Sequence, residues 1–174
     1  MEVNPGIKRT AAMIVLRHGE EFLLLKRNKE PNAGRYVPIG GKIEPHERPV
    51  DAAIRETYEE AGLQIDKSQL HYAGVLAESS PTNYNWLCFI YLVDINRLPP
   101  PPCDEGSLEW VSFHDIAYIP TPPTDWQVYQ YLMRRQPFAL DAVYDENLNM
   151  LEMREEISGQ VVKAPDFNRP ESDK

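Results

Sequence analysis

Positive charge is scarce in this sequence. Lys and Arg number 18 against 27 Asp and Glu, a formal net charge of −9 over 174 residues. A general binder of nucleic-acid polymers or of anionic membranes needs a basic face, so the balance speaks against both. A phosphate-bearing substrate stays open, because a metal ion can bring the positive charge that the side chains lack. Cysteine is scarcer still, with only Cys88 and Cys103. Two are too few for a disulfide framework, and their spacing matches no metal-ligand pattern. Cys88 lies in an apolar run and reads as a buried thiol. No apolar run approaches the roughly 20 residues of a membrane-spanning helix. Residues 1–10, MEVNPGIKRT, lack the apolar segment of a secretion signal. A reducing cytoplasm is therefore the expected setting. His18, His46, His71 and His114 are scattered, with no spacing for zinc or a catalytic triad. There is no internal repeat, and the length suits one domain.

What the sequence does have is concentrated between Gly41 and Leu63: GKIEPHERPVDAAIRETYEEAGL. Residues 49–61 read as a helix. Pro49 suits the first helical position, where its missing N–H costs nothing, and Gly62 suits the stop. Arg48 makes a poor N-cap, having no acceptor oxygen. At 100° per residue, Val50, Ile54, Thr57, Tyr58 and Ala61 gather on one side. Arg55, Glu56, Glu59 and Glu60 gather on the other, with the pairs four apart adjacent in space. Three crowded carboxylates repel one another, and a hard divalent cation such as Mg²⁺ relieves that. An isolated acidic run on a helix is usually a solvated face; the spacing of the whole stretch argues otherwise. Gly41, Glu47, Arg55, Glu56, Glu59, Glu60 and Gly62 hold places that coincide by chance on the order of 10⁻⁸ to 10⁻⁹ per window.

These residues fit G-x5-E-x7-R-E-U-x-E-E-x-G-U, where U is a bulky aliphatic, and on them the chain resembles the Nudix hydrolases. Thr57 stands where an aliphatic is usual. The resemblance implies an α/β fold, the Nudix α/β/α sandwich with a mixed β-sheet between helices. The pattern along the chain agrees with it. Strands are expected at 10–16, 21–26, 70–78, 85–95 and 108–112, a helical turn at 113–116, a helix at 125–135, and a terminal hairpin from 138–144 and 150–154. Residues 99–102 are four prolines, read as a stiff crossing loop rather than a polyproline ligand. The domain is expected over 10–158, between an N-terminal tail, 1–9, and a disordered polar tail, 159–174.

The resemblance also implies chemistry: splitting a diphosphate joined to another moiety, with water and divalent metal, Mg²⁺ or Mn²⁺ in its place. Metal ions neutralise phosphate charge and lower the pKa of bound water. Carried over by position, Glu56, Glu59 and Glu60 are metal ligands together with the carbonyl of Gly40, and Arg55 holds a glutamate in place. Gly41, Glu47 and Gly62 complete the structural motif. The base is Glu56, Glu59 or a distal glutamate, with Glu59 favoured. The distal candidate is Glu105, also a metal-ligand candidate; its bland alternative is a solvated turn residue. Many members have Pro-Gly-Gly where this chain has Pro38-Ile39-Gly40-Gly41.

Substrate is read from what else matches. The marks of the coenzyme A, NADH, ADP-ribose and dinucleoside-polyphosphate branches are absent at residues 30 and 79–84. The segment Thr124-Asp125-Trp126, followed by QPFALDAVYDEN, is similar to the oxidised-purine triphosphatases. Asp125 and Lys42 are accordingly the substrate-binding candidates, and a nucleotide is the expected partner. A sugar nucleotide or ADP-ribose, or a non-catalytic nucleotide-binding role on the same fold, are the alternatives; the intact glutamates weigh against the last.

Overall fold

The computed structural model describes residues 7–162. Its centre is β1 (Arg9–His18), a strand apolar on both faces. Ala12, Ile14 and Leu16 enter one core, Ala11 and Val15 the other. A strand of that kind is buried on both sides. It turns at Gly19, where φ is +54°, into antiparallel β2 (Glu21–Arg27), whose Leu23 and Leu25 alternate with Phe22 and Leu24 between the same two cores.

The chain continues through two short strands, β3 (Tyr36–Val37) and β4 (Ile39–Lys42), then helix α1 (Pro49–Ala61). After α1 come β5 (Leu70–Ser79), β6 (Trp86–Asp94), β7 (Pro102–Cys103) and β8 (Gly106–Ser112). Helix α2 (Pro123–Met133) precedes β9 (Phe138–Tyr144), β10 (Met150–Glu155) and β11 (Gln160–Val162). The strands form one mixed sheet in the order β11-β10-β9-β5-β6-β1-β2-β8-β7, with β4 beside β1 and β3 beside β2. The β1–β6 and β5–β9 pairs are parallel. Ala52, Ala53 and Ala61 of α1 pack on one face; Val128, Tyr129, Tyr131 and Leu132 of α2 pack on the other. The expected sandwich of a mixed sheet between helices is the observed one.

Helix α1 has the expected bounds. Arg48 is its N-cap without a side-chain cap bond, and Gly62 closes it in the left-handed region at φ +66°. Helix α2 begins and ends two residues earlier than expected, because Pro123 is accommodated in the first turn. The strands β3, β4 and β7 were not expected; they are two to four residues long, too short to show a periodicity. The proline run leads from β6 into β7, which takes up its last residue, Pro102, and just before it Trp110 Nε1 donates to the Leu98 carbonyl at 2.8 Å.

The tail assigned to 159–174 needs correction at its start, since Gln160–Val162 pair with β10. Glu155 explains it. Its buried carboxylate accepts from the N–H groups of Ala139 (3.1 Å), Ile157 (2.9 Å) and Ser158 (2.8 Å) and from the Ser158 hydroxyl (2.6 Å). Those bonds tie the turn that returns the chain to the sheet. At the other end, β1 starts at Arg9, and Lys8 donates to the Glu78 carbonyl at 2.8 Å. Residues 1–6 and 163–174 of the two expected tails lie outside the described residues.

Candidate functional site

The glutamates of α1, gathered opposite the apolar side as expected, are not equally exposed. Glu56 is 8 % exposed and Thr57 is fully buried, whereas Tyr58, placed on the apolar side, is 56 % exposed. The reason is the partner surface. Helix α1 lies over β4, where Gly40 and Gly41 leave no side chains in the way. A Cβ on Gly41 would stand 2.6 Å from Cδ of Glu56 and collide with Oε1. A Cβ on Gly40, where φ is +147°, would collide with the Ala12 carbonyl of β1. The glycine pair thus lets a carboxylate lie against backbone, as only a residue without Cβ permits.

Arg55 organises the acids. Its Nε donates to Glu47 Oε1 at 2.9 Å and Nη2 to Glu47 Oε2 at 3.0 Å, a two-pronged pair. Nη1 donates to Glu56 at 2.7 Å and to Glu59 at 3.2 Å, and Nη2 also reaches the Lys42 carbonyl at 3.0 Å. The bond to Arg55 holds the Glu47 carboxyl below its usual range. Glu47 also accepts the Glu44 N–H at 2.9 Å, which fixes the turn before the helix. Glu60 is turned the other way, its Oε2 accepting the Gly40 N–H at 3.0 Å. Burial pushes the Glu60 carboxyl up to about 7; the Gly40 N–H opposes the rise, and the charges of Glu56 and Glu105 add to it.

Glu105 stands between β7 and β8, ion-paired to Arg27 at 3.3 Å and Lys29 at 3.5 Å. It is close enough to Glu60 to act on its ionisation, yet its bonds are to cations. Lys42 ends β4 opposite Ala11, with an exposed side chain. Gly40, Gly41, Glu47, Arg55, Glu56, Glu59 and Glu60 are therefore brought together, with Glu105 at their edge. Among the described residues, no three His, Cys, Asp or Glu side chains form a ready-made metal cage. The donor set nevertheless suits a hard divalent cation: carboxylate oxygens close together, with Glu60 lifted toward neutrality by burial first and then by the charges of Glu56 and Glu105.

Asp125 lies elsewhere, on the α2 side of the sheet. It is 6 % exposed and sits in the first turn of α2, whose N-cap is Pro122 and which has no side-chain cap bond. Capping is thus not its role. Burial, and then the charge of Glu78, push its carboxyl up to about 8. Glu78, at the end of β5, was missed in the sequence. It is 5 % exposed and accepts the hydroxyls of Tyr144 (2.7 Å) and Tyr84 (3.1 Å). The signal was present: Gly74, Leu76 and Glu78 alternate onto one buried face of β5, and an acid at the end of such a series lacks a packing reason.

Fold and site together define a hydrolase of phosphoanhydride bonds, a class that generally works with divalent metal. The NUDIX domain model matches residues 7–132, and the chain belongs to the Nudix family. It is 30 % identical over 125 residues to the uncharacterized Nudix hydrolase YvcI of Bacillus subtilis (strain 168), covering 70 % of this chain and 77 % of that one. It is 30 % identical over 120 residues to diphosphoinositol polyphosphate phosphohydrolase 3-alpha of Homo sapiens, 66 % of this chain and 70 % of the relative. The mutator MutT protein of Bacillus halodurans has a similar fold, with a TM-score of 0.74 at 19 % identity over 86 % of this chain and 98 % of that one.

Proposed function

We propose that the protein is a Mg²⁺-dependent pyrophosphohydrolase of the cytoplasm that cleaves a nucleoside triphosphate, an oxidised purine nucleotide among the candidates, to monophosphate and pyrophosphate. Glu56, Glu59, Glu60 and the Gly40 carbonyl hold the metal, with Glu105 at its edge; Mn²⁺ substitutes. When bound, the metal neutralises phosphate charge and polarises the bond to be cut. Glu59 is the general base. Its side chain is 55 % exposed, so water reaches it, and its contact with Arg55 at 3.2 Å fixes its direction. Arg55 positions Glu56 and Glu59 through its own anchor on Glu47. Lys42, exposed at the end of β4, meets the phosphates.

The observation that supports a nucleotide over other diphosphates is the buried carboxyl pair, Asp125 and Glu78. With a pKa of about 8, Asp125 keeps its proton at neutral pH and can donate, while Glu78 is an acceptor, already taking the hydroxyls of Tyr144 and Tyr84. A donor within reach of the charge of an acceptor suits the polar edge of a purine base. Glu78 lies toward the same end of the sheet as the glycine pair. Glu78 is level with Trp86 and through it with Arg9, and Gly41 is level with Ala12, three residues or roughly 10 Å along β1. The human relative's name favours a second reading, a non-nucleotide diphosphate.

The test is a hydrolysis screen with Mg²⁺ or Mn²⁺ across nucleoside triphosphates, oxidised purine triphosphates, sugar nucleotides, ADP-ribose and diphosphoinositol polyphosphates. Release of monophosphate and pyrophosphate from a purine triphosphate, abolished by chelator, is the expected result. Unchanged turnover in excess chelator overturns the metal role. Turnover confined to a non-nucleotide diphosphate overturns the substrate.

A further inference from the structure

At the N-terminal end of α1 a cleft of about 530 Å³ opens between the helix and strands β5 and β6. Arg48 on its rim lies eight residues, roughly 12 Å along the helix, from Glu56. The volume falls in the range of small-molecule sites. Leu70 and Tyr91 line it, and Tyr72 forms a wall that is 57 % exposed. Tyr72 meets Tyr91 edge-on, with centroids 5.6 Å apart and planes at 73°. Phe89 also tilts against the Tyr72 ring, with centroids 6.5 Å apart and planes at 47°, so what is offered to a further planar group is the exposed part of that ring.

Two cations border the same cleft. Lys67 is ion-paired to Asp51 at 2.8 Å. Among the described residues the Arg48 guanidinium makes no hydrogen bond and no ion pair. It is near enough to Tyr91 for its charge to oppose the rise that burial imposes on that phenol. A guanidinium without a partner among the described residues, beside a largely exposed aromatic ring, is conspicuous on a chain of net charge −9. The first recognises phosphate with two parallel donors; the second stacks on a base. Neither group belongs to the hydrolytic site.

We propose that this cleft is a second ligand site, for a nucleoside monophosphate, with the phosphate on Arg48 and the base on Tyr72. The probe is AMP, which has no phosphoanhydride to cut, titrated calorimetrically into the full chain in excess chelator. The same titration is run on Glu60→Gln, which alters the hydrolytic site and leaves the cleft intact. One AMP site is expected in both. Arg48→Ala should weaken it by about 10-fold or more and Tyr72→Ala by about 5- to 100-fold. Inorganic phosphate should bind at least about tenfold more weakly than AMP. Both cleft variants should keep the wild-type melting temperature and metal-dependent turnover within about twofold, so failure of the cleft and failure of the hydrolase are read separately. Absence of AMP binding overturns the proposal. So does binding unchanged in Arg48→Ala and Tyr72→Ala, or binding lost only in Glu60→Gln, which would place AMP among the glutamates. Phosphate binding as tightly as AMP would remove the base from the site and overturn the assignment as well.

Discussion

Gly41 and Glu56 are packed so closely that a single added methyl carbon on the glycine would stand 2.6 Å from the carboxyl carbon of the glutamate. The obstructing atoms are the end of a flexible side chain rather than backbone, so the collision bears on the position of the carboxylate more than on the fold. Glu56 also accepts from Arg55 at 2.7 Å, and cannot move without disturbing that bond. Gly41→Ala should therefore change stability by no more than about 1 kcal/mol. It should lower metal affinity or kcat by about 10- to 100-fold, the range for disturbing the support of a metal site. Thermal melting beside a metal titration of activity separates the two effects. A variant with wild-type kcat and metal dependence would show that Glu56 needs no fixed place.

Glu59→Gln and Glu60→Gln should each lower kcat by on the order of 10²–10⁴, as expected for losing a general base or charge stabilisation at a phosphoryl group. The Glu60 amide oxygen would still accept the Gly40 N–H, so the contact between α1 and β4 should survive and the circular dichroism spectrum should not change. Equal activity of wild type and both variants at saturating metal would count against this site.

Thr57→Val should be tolerated. The Thr57 side chain is fully buried, and its hydroxyl donates to the Ala53 carbonyl at 2.7 Å, one turn back in the same helix. That carbonyl is already the acceptor of a helical N–H, so losing the extra donor strands no acceptor, and the γ-methyl of valine fills the same space. A stability change within about 1 kcal/mol is expected, with kcat unaltered. A large loss of turnover in a steady-state assay would reveal a chemical role for the hydroxyl.

Asp125 predicts a pH dependence of definite sign. In the folded chain its carboxyl titrates at about 8, because of burial and then the nearby charge of Glu78. An unfolded aspartate titrates near 4. Between those values the unfolded chain gives up its proton and the folded chain keeps it, so this residue favours unfolding increasingly as pH rises. The effect is absent below about pH 4 and complete above about 8. Asp125→Asn removes it, so the variant's melting temperature should gain on the wild type from pH 4 to 8 and then level. A constant difference across that range would show that Asp125 is ionised in the fold. In activity, Asp125→Ala should cost about 10- to 150-fold in kcat/KM for the preferred purine triphosphate, and far less for a pyrimidine. A preserved ranking of nucleotides would remove Asp125 from base recognition.

Much of this molecule was legible in one dimension. The bounds of α1 followed from Pro49 and Gly62, whose backbone constraints act locally. The central strands followed from alternation that buries both faces of β1 and β2. The spacing of Arg55, Glu56, Glu59 and Glu60 determined that the helix carries a cluster of acids around one guanidinium. Which way each acid turns was decided only by what the helix packs against. The wheel placed Glu56 and Glu60 only on the side opposite the apolar residues; the missing Cβ atoms of Gly40 and Gly41 open the space into which they turn. Glu47 reaches Arg55 across eight residues because the turn before the helix brings it back. The charge of Glu78 reaches Asp125 because the fold brings α2 and the end of β5 to one side of the sheet, a relationship between residues 47 positions apart that no local pattern encodes. The short strands β3, β4, β7 and β11 belong to the same class: they exist because a longer neighbour offers unpaired backbone groups, and their own sequences are too brief to specify them.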